Sequence, residues 1–495
     1  MIQGTGSWVG KSVITAALCR IFHEDGVRVA PFKSQNMALN SFVTKDGAEM
    51  GRAQVVQAEA AGLEPHVDMN PILLKPEADA RSQVVVMGKP AFTMDARDYY
   101  KKTPQLLATA GAALDRLRSS YELVIIEGAG SPVEINLKER EIVNMRVARM
   151  AGAPVLLVGD IDKGGVFASL VGTLALLDEE EKRYVKGFII NKFRGDLEIL
   201  KPGLEQLEQL TSVPVLGVAP YFHDILLGEE DSIYHRRRAG KDGDLNIAVI
   251  HLPHISNSTD FEPLQQEKKV NLYYVKHAGE IGHPDIIIIP GSKSTISDLE
   301  SLRVSGLARA VLGKAGEGVP VLGICGGFQM LGKVIRDPHG SESTTGQTEG
   351  LGLLDMETVF ERDKTTRQVK GRLLCRHGLF QGARGLELEG YEIHMGKTYS
   401  SGLSPFCRIE SDSCAAYDDG AVDSRGQVFG TYLHGLFNNA GFRSYFLNSL
   451  RRRSGISEDC ATTVPDREEA FSRLASLVRR SLKMEEIRRI IERGV

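Results

Sequence analysis

The run around Cys325 constrains the fold of its surroundings more than any other feature of the sequence. An apolar strand, Val319–Ile324, passes at Cys325 into Gly326 and Gly327 and then into an amphipathic stretch. A sharp turn between a strand and a helix lifts the intervening side chain above a sheet, and flanking glycines let a substrate approach the backbone. The first amides of the following helix point at the sulfur and favour its thiolate form. The pattern predicts a reactive thiol on an α/β sheet.

A second strand-to-helix junction lies in residues 4–12, GTGSWVGKS. Five residues stand between its first glycine and the Gly-Lys pair, where the standard Walker pattern has four, so Thr5 holds the first-glycine position. Lys11 is expected to reach the β and γ phosphates and Ser12 to hold Mg²⁺. The backbone amides predicted to cradle the phosphates are those of Thr5, Gly6 and Gly10. The pattern predicts an ATP site, preceded by a short first strand.

Apolar strands alternate with helical patterns over most of the chain. Continuous apolar strands separated by helices indicate a parallel sheet that is covered on both faces. We therefore predict an α/β protein with a P-loop parallel-sheet domain over residues 1–226 and a second α/β domain over residues 245–448. The charged stretch 227–244 is the predicted linker, and residues 449–495 are the predicted C-terminal helical tail.

Composition limits the class of protein. A chain of 495 residues is too long for one hydrophobic core and indicates two or three domains. The net charge of −4 argues against a nucleic-acid-binding protein. The six cysteines are scattered, without the spacing of a zinc site or a disulfide framework. No apolar run is long enough to span a membrane, and reduced thiols fit the cytosol. We expect a cytoplasmic enzyme; the sequence predicts no oligomeric state.

The segment Leu322–Gly332 resembles the nucleophile segment of class I, triad-type glutamine amidotransferases. In that family the cysteine attacks the amide of glutamine, ammonia leaves, and water frees the thioester. The resemblance implies that Cys325 is the nucleophile and that His434, which follows an alternating strand, is its general base. The implied oxyanion donors are the amide of Gly326 and that of Gly291, which follows a run of buried isoleucines.

The histidine segment departs from the family pattern in one respect. The usual triad continues His-x-Glu, whereas Gly435 and Leu436 follow His434. We therefore expect that no carboxylate of this segment orients the imidazole. The third member of a triad is the least costly to lose, so we expect glutamine hydrolysis to be slow but not abolished. His394 is the alternative base.

The phosphate loop, with the spacing GTxSxxGKS, resembles the dethiobiotin synthetase-like branch of P-loop enzymes. This resemblance implies that Lys33 and Asn36 face the acceptor carboxylate or the transferring phosphoryl group. It also implies that Asn191 hydrogen-bonds the nucleotide base; the alternative is that Asn191 is a structural residue of a turn. Glu49 is implied to be a metal ligand, and its alternative is a role on the protein surface. The predicted Mg²⁺ ligands are Ser12, Glu127 and Glu49.

Longer segments resemble the corrinoid amidases, in which a P-loop domain and an amidotransferase domain share one chain. These segments are residues 31–40, 70–76, 158–167, 252–261 and 390–396. The resemblance implies ATP- and glutamine-dependent amidation of the b, d, e and g carboxylates of adenosylcobyrinic acid a,c-diamide, in cobalamin biosynthesis. ATP and Mg²⁺ are then required, the corrinoid is a substrate, and no prosthetic group is expected.

Two alternatives remain open at this point. One is the sister corrinoid amidase that forms the a,c-diamide, in which acidic residues are expected where this chain has Gln35, Asn36 and Asn40. The other is a partitioning-type nucleotide-switch ATPase whose second domain is an inactive glutamine sensor. The missing carboxylate after His434 is the one feature that supports the second alternative.

Overall fold

The computed structural model describes residues 1–78, 81–222, 244–342, 346–383, 385–411, 414–458 and 467–495. The chain divides into two compact units. Unit 1 comprises Met1–Ala38, Met50–Asp231 and Pro465–Val495, and unit 2 comprises Leu39–Glu49 and Ser232–Val464. Each unit is thus assembled from segments that are separated in the sequence. Of the predicted linker 227–244, only Asp244 lies within the described residues.

Both units contain α-helices. The helices are α1 (Lys11–Glu24), α2 (Arg52–Ala60), α3 (Ala96–Ser120), α4 (Met145–Ala151), α5 (Val166–Leu176), α6 (Glu179–Lys182), α7 (Leu197–Thr211), α8 (Glu262–Gln266), α9 (Thr295–Val304), α10 (Leu307–Gly316), α11 (Gly326–Met330), α12 (Ala440–Arg453), α13 (Arg467–Ser481) and α14 (Met484–Arg493). Within the described part of the chain, no helix has the length and apolar content that crossing a membrane requires.

The first twelve strands of the chain are β1 (Ile2–Gly4), β2 (Val29–Phe32), β3 (Gln35–Met37), β4 (Ser41–Val43), β5 (Glu49–Gly51), β6 (Ile72–Ala78), β7 (Arg81–Val86), β8 (Lys89–Asp95), β9 (Leu123–Ile126), β10 (Val155–Asp160), β11 (Val185–Phe193) and β12 (Val215–Pro220). They belong to unit 1, except that β4 lies in unit 2 and β5 begins at the last residue of the unit 2 segment Leu39–Glu49. The remaining strands belong to unit 2. They are β13 (Leu245–Ile250), β14 (Ile255–Ser256), β15 (Val270–Val275), β16 (Ile286–Ile289), β17 (Gly291–Ser292), β18 (Val321–Ile324), β19 (Val334–Arg336), β20 (Gln347–Glu349), β21 (Met356–Leu373), β22 (Glu387–Ser400), β23 (Cys407–Ser411), β24 (Cys414–Asp419), β25 (Ala421–Val422) and β26 (Val428–Thr431).

Unit 1 is built on a parallel sheet with the strand order β1-β10-β11-β12. Strands β2 and β9 form a further parallel pair, which Ile2 joins to this sheet through a bridge to Glu127. The prediction of a parallel sheet is confirmed. Because the carboxyl ends of parallel strands meet at one edge, the residues that follow β1, β2 and β9 gather there. A second sheet of unit 1 has the order β3-β6-β7-β8.

The core of unit 1 joins the start of the chain to its last helices. Helix α1, which follows the phosphate loop, buries an apolar stripe in which Ile14, Ala17 and Ile21 have no exposed surface. The same apolar cluster contains residues of α13 and α14, and Arg20 of α1 pairs with Glu468 of α13 at 2.7 Å. The predicted tail 449–495 is therefore divided, since its last two helices belong to unit 1 and α12 packs in the core of unit 2.

Unit 2 is built on a sheet with the order β15-β13-β16-β18-β26-β25, in which only β25 pairs antiparallel. The four isoleucines of β16 are fully buried, and each contributes roughly 1.5–3 kcal/mol to folding. Strands β18 and β26 are neighbours, so the residues after their carboxyl ends, Cys325 and His434, lie at the same edge. A second sheet, ordered β20-β19-β21-β23-β24, adds the long hairpin of β21 and β22.

Candidate active sites

Cys325 lies on a strained turn between β18 and α11. Its φ is 51° and its ψ is −108°, a conformation that costs a non-glycine residue about 1–3 kcal/mol. The turn is held because Cys325 N donates to Thr431 O at 2.9 Å. It also depends on Gly327, where a Cβ would lie 2.0 Å from Ile289 O. Strain that the surrounding structure maintains in this way is typical of functional positions.

The two predicted oxyanion donors lie next to each other. A Cβ placed on Gly326 would come within 2.8 Å of Ser292 N, and a Cβ on Gly291 would come within 3.3 Å of His434 Cε1. The structure therefore brings Gly326, the Gly291–Ser292 strand and the histidine ring together beside Cys325. Backbone amides in this position can stabilise the oxyanion of a tetrahedral intermediate.

His434 is fully buried and is held by a carboxylate. Its Nδ1 lies 2.7 Å from Asp260 Oδ2, and Gly435 N donates to Asp260 Oδ1 at 2.8 Å. The imidazole stacks on the ring of Tyr391, with centroids 5.4 Å apart and an interplanar angle of 19°. These contacts fix the ring and leave Nε2, which has no hydrogen-bond partner among the described residues, as the nitrogen for proton transfer.

The charge of Asp260 controls the protonation of His434. Burial by itself would lower the pKa of His434, but the charge and hydrogen bond of Asp260, together with Cys325, raise it to about 10. Cys325 is close enough to act on the ring, although no hydrogen bond of normal geometry joins its sulfur to Nε2. The ring is thus protonated at neutral pH and can supply a proton to a leaving nitrogen.

Asp260 corrects one expectation from the sequence. Because Gly435 and Leu436 follow His434, we expected no carboxylate to orient the imidazole. Asp260, which lies 174 residues earlier in the chain, is that carboxylate. It lies in the 3-10 turn Ser258–Phe261. The premise for slow hydrolysis is therefore wrong, and the nucleotide-switch alternative loses its supporting feature. Asp260 does belong to the segment 252–261, on which the family resemblance rests, but no spacing rule connects it to His434.

His394, the alternative base, has a different environment in β22. Its Nδ1 lies 2.8 Å from Gly396 O, and its ring stacks on Tyr432 at 3.9 Å. Burial lowers its pKa to about 4, although Glu392 opposes this effect. The nearest Glu392 oxygen is 4.0 Å from Nε2, too far for a hydrogen bond. The geometry therefore favours His434, which has an orienting carboxylate, as the general base.

The lysine of the phosphate loop, Lys11, hydrogen-bonds to backbone carbonyls of this loop and of the segment after β9. Lys11 Nζ donates to Gly6 O at 2.7 Å and to Gly130 O at 3.1 Å. Burial lowers the pKa of Lys11 to about 8, with Glu127 opposing this effect. Thr5 N donates into the sheet, to Val158 O at 3.0 Å, so phosphate binding by the Thr5 amide stays a prediction that this bond does not support.

Glu127, which follows β9, is the buried centre of the predicted metal site. Its Oε1 accepts hydrogen bonds from Ser12 Oγ at 2.8 Å and Lys33 Nζ at 2.9 Å. Its Oε2 accepts from the side-chain amides of Gln54 and Gln57 on α2. Burial raises the pKa of Glu127, but Lys33 and the hydrogen bonds outweigh this and lower it. The two glutamines were not predicted, because a polar residue inside a helix carries no sequence signal of its partner.

The oxygen ligands at this place fit magnesium. A serine hydroxyl beside a carboxylate is the protein part of a P-loop Mg²⁺ site, in which phosphate oxygens and water supply the remaining ligands. Among the described residues, no group of three or more acidic, histidine or cysteine side chains is placed to hold a metal ion by itself. The third predicted ligand, Glu49, belongs to unit 2, where its carboxylate lies 2.6 Å from Lys364 Nζ. Its role at the metal stays a prediction that this ion pair does not support.

The two predicted asparagines are buried in unit 1. Asn191 Nδ2 donates to Val9 O at 2.8 Å, so this side chain braces the phosphate loop. Its Oδ1 has no hydrogen-bond partner in the described part of the chain. Asn36 lies in β3, and its Oδ1 accepts from Met37 N at 3.0 Å. Base recognition by Asn191 and substrate contact by Asn36 stay predictions.

The fold and the two sites define the class of protein, a P-loop nucleotide-binding domain joined in one chain to a triad-type glutamine amidotransferase domain. A family model described as a CobQ/CobB/MinD/ParA nucleotide binding domain matches residues 1–232. A second, described as a CobB/CobQ-like glutamine amidotransferase domain, matches residues 246–442. Both matches confirm the predicted fold class.

Relatives that match over nearly their whole length narrow this class to one enzyme family. The chain is 55% identical to the cobyric acid synthase of Dehalococcoides mccartyi, over 100% of this chain and 99% of that protein. It is 52% identical to the cobyric acid synthase of a Thermoanaerobacter species, over 100% of this chain and 98% of that protein. It is also 52% identical to that of Sorangium cellulosum, over 99% and 98%. The chain belongs to the cobyric acid synthase family, which confirms the predicted resemblance.

Proposed function

We propose that this protein amidates the b, d, e and g carboxylates of adenosylcobyrinic acid a,c-diamide to give adenosylcobyric acid, using ATP and glutamine. The observation that carries this proposal is the presence in one chain of the Cys325–His434–Asp260 site and a phosphate loop whose Ser12 bonds Glu127. The relationship to cobyric acid synthases over the full length supports the choice of a corrinoid acceptor.

Unit 2 is the proposed source of ammonia. The Cys325 thiolate attacks the side-chain carbonyl of glutamine, and amides of Gly326 and Gly291 stabilise the oxyanion. His434 gives its proton to the leaving nitrogen, so that ammonia departs and a glutamyl thioester remains. The ring then takes a proton from water, which hydrolyses the thioester to glutamate. Asp260 keeps Nδ1 occupied, so Nε2 performs both transfers.

Unit 1 is the proposed site of carboxylate activation. Transfer of the γ-phosphoryl group of ATP to an acceptor carboxylate gives ADP and an acyl phosphate, a better electrophile than the carboxylate. Lys11 and Lys33 supply positive charge to the transferring group. Ser12 and Glu127 would hold Mg²⁺, which neutralises further phosphate charge when it is bound. Ammonia attacks the acyl carbon, phosphate leaves, and the amide forms.

Mass spectrometry of the corrinoid tests this function. The protein is incubated with adenosylcobyrinic acid a,c-diamide, ATP, Mg²⁺ and glutamine, and we expect a product with amides at the b, d, e and g positions. Amidation of the a and c carboxylates of cobyrinic acid, with no reaction of the a,c-diamide, would assign the activity of the sister enzyme instead. ATP hydrolysis that yields no amide with any of these corrinoids, and no glutamine hydrolysis, would favour a nucleotide switch.

A further inference from the structure

A segment from the first tenth of the sequence forms part of the amidotransferase unit. This segment, Leu39–Glu49, belongs to unit 2 and is fastened there along its length. Gln368 Nε2 donates to Val43 O at 2.9 Å, and Lys364 forms the buried ion pair with Glu49 at 2.6 Å. We call residues 39–49 the brace segment.

The first residues of the brace segment contact the turn that carries Asp260. Asn40 Oδ1 accepts two hydrogen bonds from Ser258, from its N at 2.9 Å and its Oγ at 3.0 Å. In the reverse direction, Asn257 Oδ1 accepts from Ser41 N at 3.0 Å. All four of these residues are buried, and Asn257 has a φ of 52°. The reciprocal pair fixes the start of the 3-10 turn, two residues before the carboxylate that binds His434.

A second path leads from the brace segment to the histidine ring. Tyr391 OH donates to Ser41 O at 3.1 Å, and the Tyr391 ring stacks on His434. The backbones of Tyr391 and His434 are also joined, because His434 N donates to Tyr391 O at 2.9 Å. Both neighbours that orient the imidazole, Asp260 and Tyr391, are therefore held by residues of the brace segment.

We propose that Asn40 is a positioning residue of the glutaminase site, which fixes the Asp260 turn and thereby the orientation of His434. This inference rests on the proposed function, since it assigns a role in glutamine hydrolysis.

Three variants separate this role from general support of the fold. Asn40→Ala removes both bonds to Ser258. Asn40→Asp keeps an acceptor oxygen for both. Gln368→Ala is the matched control, because it removes a bond of similar length to the same segment but none to the Asp260 turn. Glutamine hydrolysis, amidation with added ammonia, and thermal unfolding are measured for each full-length variant.

We expect Asn40→Ala to lower the kcat for glutamine hydrolysis about tenfold, with little change in KM, because the misplaced base affects chemistry more than binding. Ammonia-dependent amidation should stay normal. Asn40→Asp and Gln368→Ala should retain most of the wild-type kcat.

Several outcomes would overturn the inference. Wild-type kcat in Asn40→Ala, or equal losses in Asn40→Ala and Gln368→Ala, would show that Asn40 does not position the catalytic pair. Failure of Asn40→Asp to retain activity, or loss of ammonia-dependent amidation along with hydrolysis, would show a general structural role. Failure of the proposed function is distinguishable, because then the wild-type protein itself forms no amides on the a,c-diamide from either nitrogen source, whatever its rate of glutamine hydrolysis.

Discussion

The replacement Asp260→Asn tests the structure of the proposed glutaminase site most directly. Asparagine has nearly the shape of aspartate, so the packing around the 3-10 turn is retained, but its charge is lost. The two contacts at stake are the 2.7 Å approach to His434 Nδ1 and the 2.8 Å bond from Gly435 N. An amide group can present an oxygen to only one of these two donors and an NH₂ group to the other.

The size of the effect follows from the pKa of His434. The site raises this pKa from 6.5 to about 10. A difference in pKa of about 3.5 corresponds to about 5 kcal/mol between the protonated and the neutral ring. Asp260 is the largest of the raising influences, so its loss should lower the pKa of His434. We expect kcat for glutamine hydrolysis at neutral pH to fall by about 10²–10⁴, as for the loss of other orienting carboxylates.

The same charge makes unfolding depend on pH. Because the pKa of His434 is raised by folding, its stabilising contribution is complete below pH 6.5 and disappears as the pH rises through about 10. Asp260→Asn removes this contribution. The difference between wild type and variant in the free energy of unfolding should therefore be largest below pH 6.5 and shrink toward pH 10.

The assay follows glutamate formation at saturating glutamine, together with amidation from added ammonia, which should be unaffected. Glu267→Gln is the matched control, because it breaks another buried carboxylate contact of unit 2, the 2.7 Å pair with Arg443, without touching His434. That control should lose stability but keep its kcat. An Asp260→Asn protein with wild-type kcat and an unchanged pH dependence of unfolding would refute the assignment of Asp260.

Three further substitutions separate the half-reactions. Cys325→Ser should abolish glutamine-dependent amidation but leave ammonia-dependent amidation, as measured by mass spectrometry of the corrinoid; loss of both in a folded protein would contradict the separate roles of the two sites. Lys11→Ala should remove amidation with either nitrogen source, since phosphoryl-transfer electrostatics of this kind are worth several kcal/mol, and near-normal ammonia-dependent amidation would mean that the loop is not the phosphate site. His434→Ala should lower the glutamine hydrolysis rate by about 10² or more, while ammonia-dependent amidation stays unchanged. If His434→Ala hydrolyses glutamine at the wild-type rate, His394 would be the next candidate for the general base.

Local patterns in the sequence predicted the parts of the fold that are themselves local. The buried stripe of α1 and the isoleucines of β16 have the periodicity of a covered helix and a covered parallel strand, and the structure has both. The turn at Cys325 was also predictable, because the strand, the glycines and the helix that define it are contiguous. Each of these features depends on neighbours within a few residues.

The parts that the sequence did not predict depend on distant pairs. Asp260 and His434 meet across 174 positions, and Lys364 reaches Glu49 across 315. Neither contact leaves a periodic pattern, since a single polar residue in a turn or a strand has many possible partners. For the same reason the sequence did not predict that the brace segment, which lies within the predicted P-loop domain along the chain, belongs to unit 2. The bond from Thr5 N to Val158 O was not predicted either, because a loop pattern does not show which amides bond to the sheet.

The joining of α1 to α13 has a consequence for how the protein is made. Arg20 and Glu468, which pair at 2.7 Å, are 448 positions apart. A ribosome adding about 5–20 residues per second needs roughly 20–90 seconds to synthesise the chain between them. During that time the surface of α1 that α13 covers remains open, while unit 2 emerges and begins to fold. The newly synthesised P-loop unit is therefore a predicted client of holding chaperones until translation is nearly finished.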